Sequence, residues 1–279
     1  MIVLMTKNIS THSETSRQLK ENNLHAKKKF GQNFIIDTSV VEKIARLSLS
    51  EHQIVVEVGP GLGALTQQLA YLADHVIAYE IDPDCVTLLN DSFTDGKVDI
   101  IQQDFLTVSS EEIEKTGAKV LVGNLPYYIT TPILFHVLEN LSSIKIITIM
   151  VQKEVADRFT AKPSTKDYNA LSVIIQTLCE AKVVMKVKPH VFLPQPTVDS
   201  AVVQLIRKDS DRDMKPFFAF VKLAFTQRRK TLTNNLKSIP DIESHLSALG
   251  HRIDIRAEAL SPSQWLTLYA RIYENQSTR

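Results

Sequence analysis

The tetrapeptide Asn124-Leu125-Pro126-Tyr127 stands directly after the apolar run Val120-Leu121-Val122-Gly123, at the point where a strand would end. Its residue types suit one demanding task, which is to make an amino group on a nucleobase reactive. An exocyclic adenine amine is a poor nucleophile because its lone pair is delocalised into the ring. Acceptors aimed at its two hydrogens would hold the nitrogen in a more tetrahedral geometry. The Asn124 side-chain oxygen and the Leu125 carbonyl can supply both, in a turn stiffened by Pro126. Tyr127 then offers an aromatic face for a base extruded from its stack. Taken alone, the same string also reads as a strand-ending turn with a partly buried tyrosine.

A second group of residues points to a cofactor. Glu57-Val58-Gly59-Pro60-Gly61-Leu62-Gly63 follows an apolar run and opens a helical pattern, where glycines let the backbone approach a ligand closely. The spacing is G-x-G-x-G, not the dinucleotide pattern G-x-G-x-x-G, and Pro60 sits between the first two glycines. A loop without the pyrophosphate fingerprint that keeps the close approach suits S-adenosylmethionine, an adenosine-bearing ligand with no phosphate bridge. Glu80 lies 21 residues past Gly59, at the offset where a ribose diol finds its acceptor, with Ile81 beside it. Asp104, followed by Phe105, could accept from the cofactor's adenine amine. Each acid singly reads equally as a solvated turn. Polar groups at four consecutive strand ends point to one crevice.

The elements that must position these residues alternate along the chain. Short β-branched runs at Ile54–Val58, Val76–Tyr79, Asp99–Gln102, Lys119–Val122 and Lys145–Val151 read as strands. Helices fit at about 38–48, 62–72, 83–92, 131–140 and 152–160, which predicts a mostly parallel sheet covered by helices, a Rossmann-like α/β fold. After a helix near 168–179, the runs Lys182–Lys188 and Ala201–Arg207 predict an antiparallel pair at the sheet edge. Beyond the charged break Lys208-Asp209-Ser210-Asp211-Arg212-Asp213 the period becomes helical, near 216–237, 241–249 and 262–274. The expected organisation is a flexible polar tail at 1–26, a methyltransferase-type domain at 27–207 and a small helical domain at 208–279. Trp265, Tyr269 and Tyr273 recur every four residues and are expected to pack that helical domain.

Bulk properties narrow the class. With 279 residues and 44% hydrophobic content the chain can bury one full-sized core and a small second one. No stretch has the roughly 18 consecutive apolar residues of a membrane span, and no apolar leader is evident, so a cytoplasmic location is expected. Cys85 and Cys179 lie far apart in no metal-binding or disulfide pattern, and no metal is expected. Lys and Arg outnumber Asp and Glu by 8 to 4 in residues 1–50, fall behind by 4 to 14 in 51–150, and lead by 20 to 13 in 151–279. Basic ends would attract a polyanion, the bland alternative being an uneven but solvated surface. Lys27-Lys28-Lys29 and Arg228-Arg229-Lys230 are the strongest basic clusters and the candidates for phosphate contacts that set register.

On these residues the chain resembles the bacterial small-subunit (16S) ribosomal RNA adenine N6-dimethyltransferases, over about residues 27–275. The strings that carry the resemblance are Lys29-Phe30-Gly31-Gln32-Asn33-Phe34, the glycine loop with Leu65-Thr66, and Gly123 to Tyr127 followed by Thr131-Pro132. Val151-Gln152-Lys153-Glu154-Val155, Phe192-Leu193-Pro194-Gln195-Pro196-Thr197-Val198-Asp199-Ser200-Ala201-Val202 and Phe225-Thr226-Gln227-Arg228-Arg229-Lys230-Thr231-Leu232 follow in the same order. The resemblance implies transfer of four methyl groups from S-adenosylmethionine to two neighbouring adenosines near the 3′ end of the rRNA, in the immature small subunit, by a monomer. It implies that the Gln-Asn-Phe stretch lids the cofactor, with Asn33 and the Ile35 backbone at its methionine or ribose end. Gly59 becomes the first loop glycine, Glu80 the ribose acid, Asp104 the adenine-amine acid and Asn124 the catalytic Asn, while Phe192 would pack on the second face of the extruded adenine.

Three rivals stay open on sequence. Resistance methyltransferases that dimethylate large-subunit rRNA share the loop and an Asn-x-Pro-Tyr turn, although Thr131-Pro132-Ile133-Leu134 and the Gln-Arg-Arg-Lys-Thr-Leu string favour the small-subunit enzymes. A binding protein descended from such enzymes would have lost catalysis, against which the intact Gly59, Glu80, Asp104 and Asn124 speak. A nicotinamide-dependent dehydrogenase fits the loop spacing worst. The chain departs from the family pattern at Tyr128, where many relatives carry Asn, and at Thr226, a position often Asn.

Overall fold

A computed structural model of the chain describes residues 8–27, 30–49, 53–209 and 213–273. In chain order the elements are α1 (His12–Glu21), β1 (Phe34–Ile35), α2 (Thr38–Ser48), β2 (Ile54–Val58), α3 (Ala64–Leu72), β3 (His75–Glu80), α4 (Pro83–Ser92), β4 (Val98–Gln102), α5 (Ser110–Thr116), β5 (Val120–Asn124), α6 (Thr130–Asn140), β6 (Ile146–Gln152) and α7 (Lys153–Phe159). They continue as α8 (Ala170–Leu178), β7 (Cys179–Val187), β8 (Phe192–Leu193), β9 (Ser200–Arg207), α9 (Lys215–Ala224), α10 (Leu232–Asn235), α11 (Ile242–Ala248) and α12 (Pro262–Tyr273).

The main sheet runs β4-β3-β2-β5-β6-β9-β7, with β4 to β6 parallel and β9 antiparallel to β6. The chain builds outward from β2 through β3 to β4, then crosses back to lay β5 on the other side of β2. That reversal leaves a crevice outside the carboxyl ends of β2 and β5, where ligands bind in doubly wound sheets. The central strands are apolar throughout because helices cover both faces: Val55, Val56, Val120, Leu121 and Val122 have no exposed surface. Each such side chain contributes about 1.5–3 kcal/mol by leaving water.

Local chemistry sets where the helices begin. Asp37 caps α2 by accepting from Ser39 N, and Asp82 caps α4, with Pro83 at its first position. A reciprocal Ser109–Glu112 capping box starts α5, a helix missing from the expected set although its Ser-x-x-Glu signature stands in the sequence. Gly63, at φ +87°, lets the glycine loop turn directly into α3.

Two compact units result. The first holds residues 1–156 and 182–207, the second 157–181 and 208–279. The second is thus larger than the helical domain expected from 208 onward, because α8 packs with α12 and α9. Its core is aromatic. Trp265 is fully buried, its ring 5.7 Å from that of Phe220, and Tyr269 lies 5.5 Å from Phe217, the packing role expected for this stripe.

Two further expectations need correction. The polar stretch taken as a flexible tail contains α1, which is docked: Ile9 N donates to Gln67 Oε1, Ser10 Oγ to Thr38 Oγ1, and Leu19, Leu24 and Ala26 pack against Phe34, Leu62, Cys85 and Leu88. Residues 1–7 lie outside the described residues. The helix expected at 216–237 is broken, with α9 ending at Ala224 and only the short α10 following, so that Gln227 to Lys230 form a loop.

Candidate active site

The cleft at the sheet reversal is lined by Phe30 to Ile35, Glu57 to Leu62, Tyr79 to Ile81, Gln103 to Phe105 and Asn124 to Ile129, together with Thr15 and a few α3 and α6 residues. It is an open cleft of about 1100 Å³, a figure that includes the solvent at its mouth. Every cofactor residue expected from the sequence lines it: Asn33, Ile35, Gly59, Gly61, Glu80, Ile81, Asp104, Phe105 and Asn124.

The strand ends deliver these groups. Gly59 follows β2 with φ +70°, and a Cβ there would meet nothing nearer than the Asn124 carbonyl oxygen at 4.0 Å, so the backbone is open to close approach from the cleft. Gly61 N donates to Glu80 Oε2 at 3.0 Å, while Ile81 N and Asp82 N donate to Glu80 Oε1, both at 2.9 Å. The carboxylate at the end of β3 is thereby fixed against the glycine loop. Burial raises the Glu80 pKa above the ordinary value, and the three N–H groups oppose that rise. Asp104 caps a single 3-10 turn by accepting from Leu106 N at 3.0 Å. Phe105 is buried, edge-on to Tyr79 at 5.4 Å.

Glu57 is a residue the sequence offered without a role. It lines the cleft with 1% of its surface exposed, and its Oε2 has no hydrogen-bond partner among the described residues. Burial pushes it up to about 8, with the Thr66 hydroxyl opposing and Glu80 adding to the rise.

Asn124 ends β5, and its Nδ2 donates to the Asn33 carbonyl at 3.0 Å. That bond turns the amide so that its oxygen is left for another donor. Pro126 holds the turn, its carbonyl accepting from Ile129 N and the Thr130 hydroxyl, each at 3.1 Å. The Tyr127 hydroxyl is bonded to Ser200 Oγ on β9 at 2.8 Å, which anchors the half-buried ring, a partnership no local sequence signal announces. Gly123 admits no side chain, because a Cβ would meet the Val58 carbonyl oxygen at 2.8 Å.

The segment before α2 covers this arrangement. Gly31 lies against Pro126 and Tyr128, the Phe34 ring lies over Gly61, and Asn33 holds Asn124. β1 pairs antiparallel with β8, Ile35 opposite Phe192. This pairing corrects the role expected of Phe192. Its ring is 1% exposed and packs in the core with Ile35, Val41, Met150 and Val202, so it does not reach the cleft.

The basic candidates separate. Lys27 is 18% exposed and is spent internally, its Nζ 2.6 Å from Asp82 Oδ1 and paired also with Asp84. Hydrogen bonds to these two acids raise its pKa. Burial works to raise Asp82, but its bonds to Lys27 and Gln32 outweigh that and hold it below the ordinary value. Lys27 therefore fastens the lid segment and leaves no free charge for phosphate. Lys28 and Lys29 lie outside the described residues. In the second unit, Arg228 pairs with Glu258 and donates to the Lys166 carbonyl, whereas Arg229 and Lys230 are exposed with no ion pair among the described residues. Among the described residues there is no group of three His, Cys, Asp or Glu that could hold a metal ion, and no helix long and apolar enough to cross a membrane.

Residues 23–274 match the model of a family described as ribosomal RNA adenine dimethylase. The chain is 41% identical over 289 residues to the ribosomal RNA small subunit methyltransferase A of Bacillus licheniformis, spanning 97% of this chain and 99% of that protein. It is 42% identical over 240 residues to the protein of the same name from Clostridioides difficile, 82% of each. Among solved structures it is similar to the 23S rRNA methyltransferase ErmE, at TM-score 0.64 and 29% identity over 86% of this chain and 99% of that one. A dimethyladenosine transferase from Plasmodium falciparum shares the fold at TM-score 0.71 and 22% identity, covering 87% and 98%.

Proposed function

The chain belongs to the ribosomal RNA adenine dimethylase family, and we propose that it uses S-adenosylmethionine to dimethylate the N6 amines of two adjacent adenosines near the 3′ end of 16S rRNA in the immature small subunit. The observation that carries this reading is the Asn33–Asn124 bond, which leaves the Asn124 oxygen for a substrate amine at the rim of a cleft suited to an adenosine-bearing cofactor.

The residues present fit that cofactor. Gly59 leaves open space at the loop, Glu80 would accept from a ribose diol and Asp104 from an adenine amine, and Asn33 and Ile35 line the same cleft. When bound, S-adenosylmethionine supplies an electrophilic methyl group on a cationic sulfur. The chain's own contribution is positioning and electrostatics. Asn124 Oδ1 and the Leu125 carbonyl accept the two amine hydrogens and turn the nitrogen lone pair toward the donor side of the cleft. Tyr127, anchored by Ser200, presents its ring to the extruded base. No strong base is needed, since the nitrogen becomes acidic once methylated and loses its proton afterwards. The monomethylated amine keeps one N–H, so a second transfer would engage one of these two acceptors.

The test is incubation of the full chain with labelled cofactor and ribosomal particles from an unmethylated strain. Label should fall on two adjacent adenosines near the 3′ end of 16S rRNA. Label in 23S rRNA would instead favour the activity for which the methyltransferase ErmE is named. Asn124→Ala should cut turnover by about 10²–10³, the usual cost of removing one such polar group, and cofactor affinity by less. Near-normal turnover would contradict the role of Asn124.

A further inference from the structure

Tyr128 follows the catalytic turn and the chemistry leaves it unused. It lines the cleft, yet 60% of it is exposed. Its inner edge is backed by the lid: a Cβ on Gly31 would stand 3.2 Å from Tyr128 Cδ1 and 3.3 Å from Cε1. Gly31 sits at φ +57°, where a residue without a side chain allows the ring to lie against the backbone. Among the described residues its hydroxyl has no hydrogen bond and its ring no aromatic partner. The neighbouring aromatics are less exposed. Tyr127 is tied to Ser200, Phe34 covers Gly61, Phe105 packs on Tyr79, and Phe192 is in the core. Phe30 and Tyr127 are partly buried, with Lys27 Nζ 5.8 Å from the Phe30 ring, so among the described residues Tyr128 is the one aromatic of the cleft lining that is largely exposed.

Extrusion of a base breaks its stack and uncovers the face of the base beside it in the strand. A ring already held by backbone loses little freedom on covering that face. We propose that Tyr128 is a positioning residue for RNA, stacking on the base adjacent to the target adenine and holding the strand while the target occupies the cleft. This rests on the function proposed above and deepens it. Stacking of this kind is sequence-tolerant because every base has a π face, and strongest for purines, so an adenosine neighbour suits it.

The full chain and its Tyr128→Ala and Tyr128→Phe variants are compared in steady-state methylation of unmethylated small subunits, with cofactor Kd measured separately. Tyr128→Ala should raise KM for the particle roughly tenfold, equal to about 1.4 kcal/mol and within the usual range for one stacked base, with kcat and cofactor Kd held. Tyr128→Phe should restore KM to within about twofold, because stacking uses the ring and not the hydroxyl. A wild-type KM in Tyr128→Ala overturns the proposal, as does an equal loss in both variants or a loss of cofactor affinity matching the rise in KM. If the wild-type chain itself leaves the particles unlabelled, the functional reading fails and takes this one with it. Labelling by the wild type with an unaltered KM in Tyr128→Ala sinks the stacking role alone.

Discussion

Glu57 sets up a stability test that reports on the cleft without any substrate. The carboxyl is buried on β2, its Oε2 lacks a partner among the described residues, and burial pushes its pKa up to about 8 from an ordinary 4.5. Between those two values the folded chain holds a proton that the unfolded chain has released. Unfolding then releases a proton, so stability falls as pH rises through this window. The contribution is fully present below about 4.5 and fully lost above about 8. The slope is about 1.4 kcal/mol per pH unit. Glu57→Gln removes the titration while keeping shape and a polar end. Its stability relative to wild type should therefore improve by roughly 2.7 kcal/mol between pH 5.5 and 7.5, two units at that slope. Urea unfolding of both chains at both pH values measures this. If the two stability curves run parallel over that range, Glu57 is ionised like an ordinary glutamate and the account of its burial is wrong. The sign also bears on the chemistry, since a protonated Glu57 at neutral pH removes a like charge from beside Glu80, the group proposed to hold the ribose.

Two further outcomes follow from the geometry. Gly123→Ala would drive a Cβ to 2.8 Å from the Val58 carbonyl inside the β2–β5 ladder and should destabilise the fold by about 1–3 kcal/mol, seen as a lower urea midpoint with m unchanged, whereas a wild-type midpoint would mean the strands yield. Replacing Arg229 and Lys230 by Ala should weaken RNA association and flatten its dependence on salt by about 0.7–0.9 log units per lost phosphate contact, while Arg228→Ala, which breaks the ties to Glu258 and Lys166, should leave that slope nearly intact; equal flattening by Arg228→Ala would refute the distinction.

The difference between Arg228 and its two neighbours shows which parts of the molecule the sequence discloses. The parallel strands are legible because burial on both faces writes them as continuous apolar runs, and their ends are legible because glycines and acids stand at the offsets that a strand-end crevice requires. Gly59, Glu80, Asp104 and Asn124 reach the cleft on this ground alone: backbone position delivers them, whatever their side chains meet later. Charge and aromaticity carry no such address. Lys27 reads as one of three consecutive lysines, but its partners Asp82 and Asp84 come 55 and 57 residues later and convert it from a phosphate ligand into a fastening for the lid. Phe192 reads as a stacking ring on a Pro-rich loop, but its two-residue strand pairs with Phe34 and Ile35, a match too short to leave a periodic trace, and the pairing turns the ring inward. The break after α9 is fainter, since Gln, Arg and Lys are good helix formers and only Thr231, which caps α10 by accepting from Asn234 N, marks the restart. It is also held by Leu232 N donating to the Ile255 carbonyl and by Asn235 Nδ2 donating to the Ala224 and Gln227 carbonyls. Asn124 combines both kinds of information: its strand places it, and the Asn33 carbonyl, 91 residues earlier, takes its Nδ2 and leaves its oxygen for another donor. The role proposed for Asn124 would therefore tie amine activation to the placement of residues 30–35, since the amide is turned as described only while the Asn33 carbonyl accepts from its Nδ2.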